Sequence, residues 1–106
     1  MRHLVGRLED LHDDRLMVDL PDGDTVLIVR HLGTVYAVDA MCPHQYVPLI
    51  GGDIENCILT CPLHGWRFDL RDGVEPGNPW VRLRTWPVDL QGHEIWIELV
   101  DQGSPG

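Results

Sequence analysis

The sequence predicts an all-β protein. Its apolar runs are short and rich in β-branched residues, and turn residues interrupt them about every 8–12 positions, as in sandwiches and barrels. Only one weak run, around residues 4–11, approaches the 3.6-residue period of an amphipathic helix. The predicted strands are His3–Leu8, Leu16–Leu20, Thr25–His31, Thr34–Asp39, Ile54–Thr60, Trp66–Leu70, Val81–Asp89 and Glu94–Val100.

Turn residues and three loops separate these strands. Pro21-Asp22-Gly23-Asp24 is a typical β-turn sequence, because proline presets φ and glycine accepts positive φ. Three longer segments break the strand pattern, and we predict loops at residues 41–53, 61–65 and 73–79. The chain has 106 residues, which is one domain's worth, so we predict a single domain over residues 1–106.

The charge balance restricts the possible partners. The chain carries 17 acidic and 8 basic residues, all of the latter arginine, for a net charge of -9. This charge argues against nucleic acid and anionic membranes and favours a basic protein partner. No apolar run approaches the roughly 20 residues needed to span a bilayer. An odd number of cysteines, 3, and no apolar signal segment at the start predict a reducing, cytoplasmic location.

Two short loops contain the residues that indicate chemistry. Cys42-Pro43-His44 and Cys61-Pro62-Leu63-His64 each offer one sulfur and one nitrogen, and proline follows each cysteine. Chance placement of core cysteines is one interpretation, although the repeated Cys-Pro step disfavours it. A structural zinc site is a second, although zinc sites usually pair cysteine with cysteine and histidine with histidine. The third, which we favour, is a [2Fe–2S] cluster with two histidines on one iron.

Histidine ligation would change the charge of such a cluster. Two ferric ions, two sulfides and two thiolates sum to zero, and neutral imidazoles add nothing, whereas four thiolates would give -2. Adding an electron to a neutral cluster costs less electrostatic energy. The reduction potential is therefore higher, at about -150 to +300 mV against about -400 mV for plant-type ferredoxins.

The pattern CPHQ followed by CPLHGWRFD resembles that of the Rieske ferredoxins and Rieske domains, over nearly the whole chain. The resemblance implies a Rieske fold of three stacked antiparallel sheets, with a small subdomain that binds one [2Fe–2S] cluster at the tips of two loops. It implies that Cys42 and Cys61 bind the inner iron. It also implies that His44 and His64 bind the outer, solvent-facing iron.

Residues that respiratory Rieske proteins have and these loops lack indicate which kind of Rieske protein the chain resembles. In respiratory Rieske proteins the two loops are similar to C-T-H-x-G-C and C-P-C-H-G-S, and an additional disulfide joins them. Val47 and Leu63 stand at the positions of the two disulfide cysteines in this chain. Respiratory proteins also place serine and tyrosine hydroxyls on the cluster sulfurs, where this chain has Trp66 and Phe68. Because two hydrogen bonds that favour the reduced cluster are missing, we predict a potential at the low end of the Rieske range.

The resemblance also implies partners. The stretches AMCPHQ, ILTCPLHGWRF and GVEPGNP are most similar to ferredoxins of toluene and alkene monooxygenases and of aromatic-ring dioxygenases. Such ferredoxins are not enzymes themselves. They carry single electrons from an NAD(P)H-dependent flavoprotein reductase to a terminal oxygenase or hydroxylase in hydrocarbon and aromatic oxidation. The small subunit of assimilatory nitrite reductase is an alternative, and a non-redox zinc-binding module is another.

The remaining conspicuous residues have simpler interpretations. We predict that Cys57 is a buried free thiol within a strand, and that Tyr46 is exposed and either packs locally or contacts a partner. Glycines 51, 52 and 65 are expected to allow positive φ near the cluster. Tryptophans 66 and 80 could screen the cluster from water. The acidic run at 9–14 and histidines 3, 12, 31 and 93 are expected to be solvated.

Overall fold

The predicted all-β fold is confirmed by the structure, a computed structural model that describes residues 2–43, 46–62 and 65–99. These ranges form twelve short strands and one turn of 3-10 helix at Leu8–Asp10, where the sequence carries its weak helical signal. The strands are β1 (Arg2–Arg7), β2 (Arg15–Asp19), β3 (Thr25–His31), β4 (Thr34–Asp39), β5 (Asp53–Glu55), β6 (Ile58–Thr60), β7 (Arg67–Asp69), β8 (Val74–Glu75), β9 (Asn78–Arg82), β10 (Thr85–Trp86), β11 (Val88–Gln91) and β12 (Glu94–Glu98).

The strands form antiparallel sheets. The first and last strands meet in a sheet of order β1-β12-β11, and the next sheet has the order β10-β4-β3-β2. In the sheet β5-β6-β7, strands β5 and β6 lie between the two cysteine loops in sequence and β7 follows the second loop, while β8 and β9 form a separate two-stranded hairpin. Within the described ranges this gives three sheets of three or four strands and one hairpin.

The four-stranded sheet is buried on both faces, because alternate residues of a strand point to opposite sides. On β3, Val26 and Ile28 pack with residues of β1 and β12 in one core. Leu27 and Val29, which point the other way, pack with residues of β6 and β7 in a second core. The four apolar residues in a row therefore reflect a strand with no solvent-facing side.

The second core carries both cysteine loops. Its fully buried residues include Leu49, Leu59 and Phe68, and Cys42 and Cys61 belong to the same cluster. Burying a side chain of this size contributes roughly 1.5–3 kcal/mol relative to leaving it exposed. The packing of the β5-β6-β7 sheet on the central sheet therefore fixes where the two loops begin.

The predicted strand over 54–60 is wrong. The chain instead forms the hairpin β5–β6, with a turn at Asn56 and Cys57 whose φ angles are both positive, 53° and 65°. Two positive φ values are typical of tight hairpin turns, and asparagine accepts them well. No glycine or proline marks this turn, so the alternation of apolar residues hid it.

Two further predictions of strand boundaries need correction. The predicted strand over 81–89 is divided among β9, β10 and β11, which belong to three different sheets. Pro87, which has no N–H to donate, separates β10 from β11. The predicted loop 73–79 contains β8 and the start of β9, so it is a hairpin rather than an irregular loop.

In the part of the chain that the structure describes, no helix has the length and apolar character required to cross a membrane.

Candidate metal centre

The first cysteine loop is closed on its own backbone. The Cys42 N–H donates to the Val47 carbonyl at 2.8 Å, and the Tyr46 N–H donates back to the Cys42 carbonyl at 2.8 Å. An isolated antiparallel bridge between Met41 and Pro48 continues this pairing one residue further out. Cys42 itself is fully buried. These contacts fix the backbone that presents its sulfur.

The second cysteine loop repeats this design. The Cys61 N–H donates to the Trp66 carbonyl at 2.7 Å, and the Gly65 N–H donates back to the Cys61 carbonyl at 3.2 Å. Cys61 is only 1% exposed. The donors and acceptors stand at the same offsets from each cysteine, four and five residues on. The described parts of the two loops therefore share one hydrogen-bond pattern, although in the sequence histidine stands two residues after one cysteine and three after the other.

The position four residues after each cysteine has a positive φ in both loops. Gly65 has a φ of +71°, as predicted, and its counterpart Tyr46 has a φ of 53°. A bulky residue in this region is uncommon and strained. The Tyr46 side chain is 77% exposed, so burial in the core does not compensate the strain.

The prediction of positive φ at Gly51 and Gly52 is wrong, since neither is among the residues with positive φ. Gly52 is required for a different reason, which is close packing. A Cβ atom at Gly52 would lie 2.1 Å from the Thr60 carbonyl oxygen, directly before Cys61. Arg15 donates to the Gly52 carbonyl at 2.5 Å and to that of Ile50 at 2.5 Å. The end of the first loop is thus held against the start of the second.

The structure brings Cys42 and Cys61 into one buried cluster of side chains. His44, Gln45, Leu63 and His64 lie outside the described residues, so the histidine half of the ligand set stays a prediction. Two buried thiols on matched loops fit one iron of a Rieske-type cluster, which takes both of its cysteines on the same metal. Among the described residues no group of three or more His, Cys, Asp or Glu could hold a metal ion elsewhere.

Four backbone N–H groups of the described loop residues donate to carbonyls within the loops. They belong to Cys42, Tyr46, Cys61 and Gly65. Their main contribution is therefore to hold the shape of the loops.

The two residues that stand at the hydroxyl positions of respiratory Rieske proteins are Trp66 and Phe68, and both contact the second core. Phe68 is fully buried in the core behind the second loop. Trp66 is half-buried and packs against the same core. Neither side chain has an O–H group to donate to sulfur, so the low potential remains our expectation. Trp80, in contrast, is 78% exposed, which argues against the predicted role in shielding.

Glu75 was missed by sequence reasoning. It lies in the predicted loop 73–79, and an acidic residue in a loop suggests a solvated side chain. In the structure it is only 6% exposed, and its carboxylate accepts hydrogen bonds from the backbone N–H groups of Arg67 and Gly77. It thus joins the β8–β9 hairpin to the strand that follows the second cysteine loop.

A groove of about 920 Å³ lies beside the first loop and opens to solvent. It is lined by Pro43 and Tyr46 from the loop and by Arg82, Arg84 and Asp39. Burial raises the pKa of Asp39, and hydrogen bonding and charge from Arg84 oppose that rise. Arg84 also pairs with Asp24 at 2.6 Å and stacks on Trp86 at 4.7 Å. The groove is therefore bordered by a fixed ionic network rather than by a catalytic pair.

The predictions for Cys57 and His31 need correction. Cys57 is half-buried in the hairpin turn, not in a strand, and its Sγ lies 3.7 Å from the Tyr36 hydroxyl. This contact raises the pKa of Tyr36. The backbone N–H of Cys57 donates to Nε2 of His31 at 3.3 Å, so the His31 ring has a structural partner.

The acidic side chains Glu9, Asp10, Asp13 and Asp14 are exposed, as expected.

Comparisons with known proteins agree with this site. Residues 1–87 match the Rieske [2Fe-2S] domain. The chain is 34% identical over 96 residues to the ferredoxin component of the alkene monooxygenase system of Xanthobacter autotrophicus, covering 88% of this chain and 77% of that protein. Among solved structures, the ferredoxin of carbazole 1,9a-dioxygenase from Nocardioides aromaticivorans IC177 is 31% identical, with a TM-score of 0.78 over 92% of this chain and 96% of that one.

A third match shows the fold alone. A structure from Mycobacterium tuberculosis named as an NADH-dependent nitrite reductase small subunit has a TM-score of 0.85 at 21% identity, over 95% of this chain and 96% of that one. Taken together, the site and the matches show that the chain belongs to the Rieske [2Fe-2S] family, and its cofactor is one Rieske-type [2Fe–2S] cluster. The predicted resemblance is confirmed.

Proposed function

We propose that this Rieske protein is a cytoplasmic one-electron carrier, which takes electrons from an NAD(P)H-dependent flavoprotein reductase and delivers them to a terminal oxygenase. Two of the relatives above 30% identity are the ferredoxin component of an alkene monooxygenase system and the ferredoxin of a carbazole 1,9a-dioxygenase. The observation that carries the proposal is the pair of buried cysteines on matched loops, next to a groove that opens to solvent. This arrangement suits a carrier that exchanges electrons at its surface.

The bound cluster supplies one reversible electron at an iron pair. The chain supplies the surroundings. Cys42 and Cys61 would anchor the inner iron in the core, and His44 and His64 would bind the outer iron. Each imidazole uses one ring nitrogen for iron and can donate its other N–H to a partner protein. We therefore assign the entry and exit of the electron to the imidazole rings of His44 and His64.

We expect the midpoint potential to lie at the low end of the Rieske range, below zero. The reason is that Trp66 and Phe68 offer no hydroxyl to the sulfurs, so the reduced cluster receives fewer hydrogen bonds. Voltammetry of the purified holoprotein measures this directly. A midpoint well above zero would contradict the low-potential part of the proposal and leave the electron-carrier part intact. A colourless protein, without the EPR signal of reduced iron–sulfur, would contradict both.

Tyr46 is the residue we assign to partner contact. The loop backbone accounts for the positive φ, but not for an exposed tyrosine at a position where the second loop has glycine. Strain of this kind is commonly kept where function requires it. We expect Tyr46→Gly, which copies the residue of the second loop, to keep the fold, the visible spectrum and the potential. Loss of an exposed aromatic anchor costs about 1 kcal/mol or more of binding free energy. Electron transfer to the oxygenase should therefore slow roughly fivefold or more at protein concentrations where complex formation limits the rate.

Leu32 provides the matched control. It has a φ of 52° and is 85% exposed, but it lies in the β3–β4 turn, at the opposite end of β4 from Cys42. Leu32→Gly should leave the transfer rate unchanged, and stopped-flow oxidation of the reduced ferredoxin gives both rates. Equal rates for the Tyr46 variant and the parent protein would remove Tyr46 from the docking surface.

The nitrite reductase small subunit is the second candidate. It is favoured by the TM-score of 0.85, although the identity of 21% limits that likeness to the fold. Reconstitution separates the two. If the reduced protein supports turnover of an oxygenase when a flavoprotein reductase and NAD(P)H are supplied, the carrier role holds. If it instead forms a stable stoichiometric complex with a nitrite reductase large subunit and transfers no electrons to an oxygenase, the second candidate replaces it.

A further inference from the structure

Glu75 is the only buried charged residue in the described chain. It ends β8, on the short hairpin that contacts β7, the strand after the second cysteine loop, and its residue exposure is 6%. No described cation forms an ion pair with it, although eight arginines are present in the chain. A buried charge without a counter-ion is costly and therefore rare unless something else depends on it.

Two backbone N–H groups bind the carboxylate. Gly77 donates to Oε1 at 2.5 Å, which closes the hairpin turn on itself. Arg67 donates to Oε2 at 3.5 Å, a long contact that reaches out of the hairpin into β7. The first contact has a local structural purpose. The second one links Glu75 to the segment that leaves the second cysteine loop.

The peptide group between Trp66 and Arg67 connects Glu75 to a cluster ligand. Its N–H, which belongs to Arg67, faces the Glu75 carboxylate. Its carbonyl, which belongs to Trp66, accepts the Cys61 N–H at 2.7 Å. Hydrogen bonds in such a series polarise one another. The negative charge of Glu75 is thus one peptide group away from the backbone of Cys61.

We propose that Glu75 is a positioning residue that holds the cluster potential down, acting through the Trp66–Arg67 peptide. A fixed negative charge on this side of the ligand raises the energy of the reduced state, which carries the extra electron, more than that of the oxidised state. Because the carboxylate is buried, solvent and salt screen it weakly. The inference rests on the proposed function in one respect, namely that the loops hold a redox-active cluster.

The test is the midpoint potential of Glu75→Gln in the cluster-loaded protein. Glutamine keeps the length of the side chain and one carbonyl acceptor but removes the charge. We expect the equilibrium constant for reduction to rise about tenfold, which is about 59 mV for one electron. Glu75→Asp keeps the charge while it alters the geometry, so its potential should stay near that of the parent.

Asp72→Asn is the exposed control, in the turn just before β8. Asp72 is exposed and accepts the Val74 N–H at 3.0 Å, so its charge is open to water and ions. Its removal should shift the potential less, and the shift should vanish in high salt. The shift of Glu75→Gln should persist in high salt.

Each other outcome contradicts the inference. If Glu75→Gln keeps the parent potential, the charge has no effect on the cluster. If Glu75→Asp and Glu75→Gln shift the potential equally, or if Glu75→Gln fails to load the cluster, the residue acts on loop geometry alone. A parent protein with no midpoint potential at all would instead overturn the proposed function, so the two failures are distinguishable.

Discussion

Replacing Cys42 or Cys61 by serine should abolish the visible absorption of the purified protein, whereas Cys57→Ser should leave it unchanged. The first two cysteines lie buried in the same core, at equivalent positions of two matched loops. Cys57 is half-buried in a hairpin turn, beside the Tyr36 hydroxyl, and it does not belong to that core cluster. We therefore expect only the first two to bind iron. Serine should not replace them, because iron–sulfur clusters are held by thiolates and a hydroxyl binds the iron more weakly.

The histidine half of the ligand set is tested in the same way. His44→Ala and His64→Ala should each lose the EPR signal of the reduced Rieske centre. His93→Ala, at an exposed histidine in the β11–β12 turn, should keep it. Iron and sulfide analysis, together with EPR at low temperature, measures cluster content in the cysteine variants and in the histidine variants. A full signal in either loop variant would reject histidine ligation, and a zinc content of one per chain in the parent would reject the cluster itself.

Gly52→Ala should destabilise the cluster-binding side of the protein severely. The added Cβ would lie 2.1 Å from the Thr60 carbonyl oxygen, 3.1 Å from Leu59 Cδ1 and 3.2 Å from the Leu49 carbonyl oxygen. Two of these atoms belong to the backbone, so a side-chain rotation cannot relieve the clash. Moving Thr60 displaces Cys61, which follows it. We expect a loss of about 3 kcal/mol or more in unfolding free energy, together with loss of bound iron.

Gly51→Ala is the matched control, one residue away. No atom lies within 4 Å of a Cβ at Gly51, and the residue is exposed. Its effect should stay within about 0.5 kcal/mol, as for most surface substitutions. Chemical denaturation of both variants, followed by far-UV circular dichroism and by cluster absorbance, gives the comparison. Similar unfolding midpoints for the two variants would show that the second loop tolerates displacement.

The fold class and the cysteines could be predicted from the sequence because each has a local signal. Breaks in the strand pattern predicted both cysteine loops, and the apolar β-branched run predicted the strand Thr25–His31, which the structure shows to be buried on both faces. The turn at Asn56 and Cys57 escaped prediction, because neither residue type marks a turn as strongly as glycine or proline does.

Features that depend on distant contacts could not be predicted. The need for glycine at position 52 comes from Thr60, which approaches it only after the β5–β6 hairpin has formed. The burial of Glu75 likewise follows from the docking of the β8–β9 hairpin beside β7, since its acceptor role involves Arg67, eight residues earlier. Composition alone assigned both segments to loops.

The closed backbone of the two cysteine loops has a consequence for the speed of electron exchange. Four loop hydrogen bonds are satisfied by the chain itself, so the geometry around the sulfurs does not have to be rebuilt when the charge on the metals changes. A site whose dipoles are already fixed spends little energy on rearrangement during the reaction. We therefore expect the protein to contribute little outer-sphere reorganisation energy, which allows rapid electron exchange even when the driving force between donor and acceptor is slight.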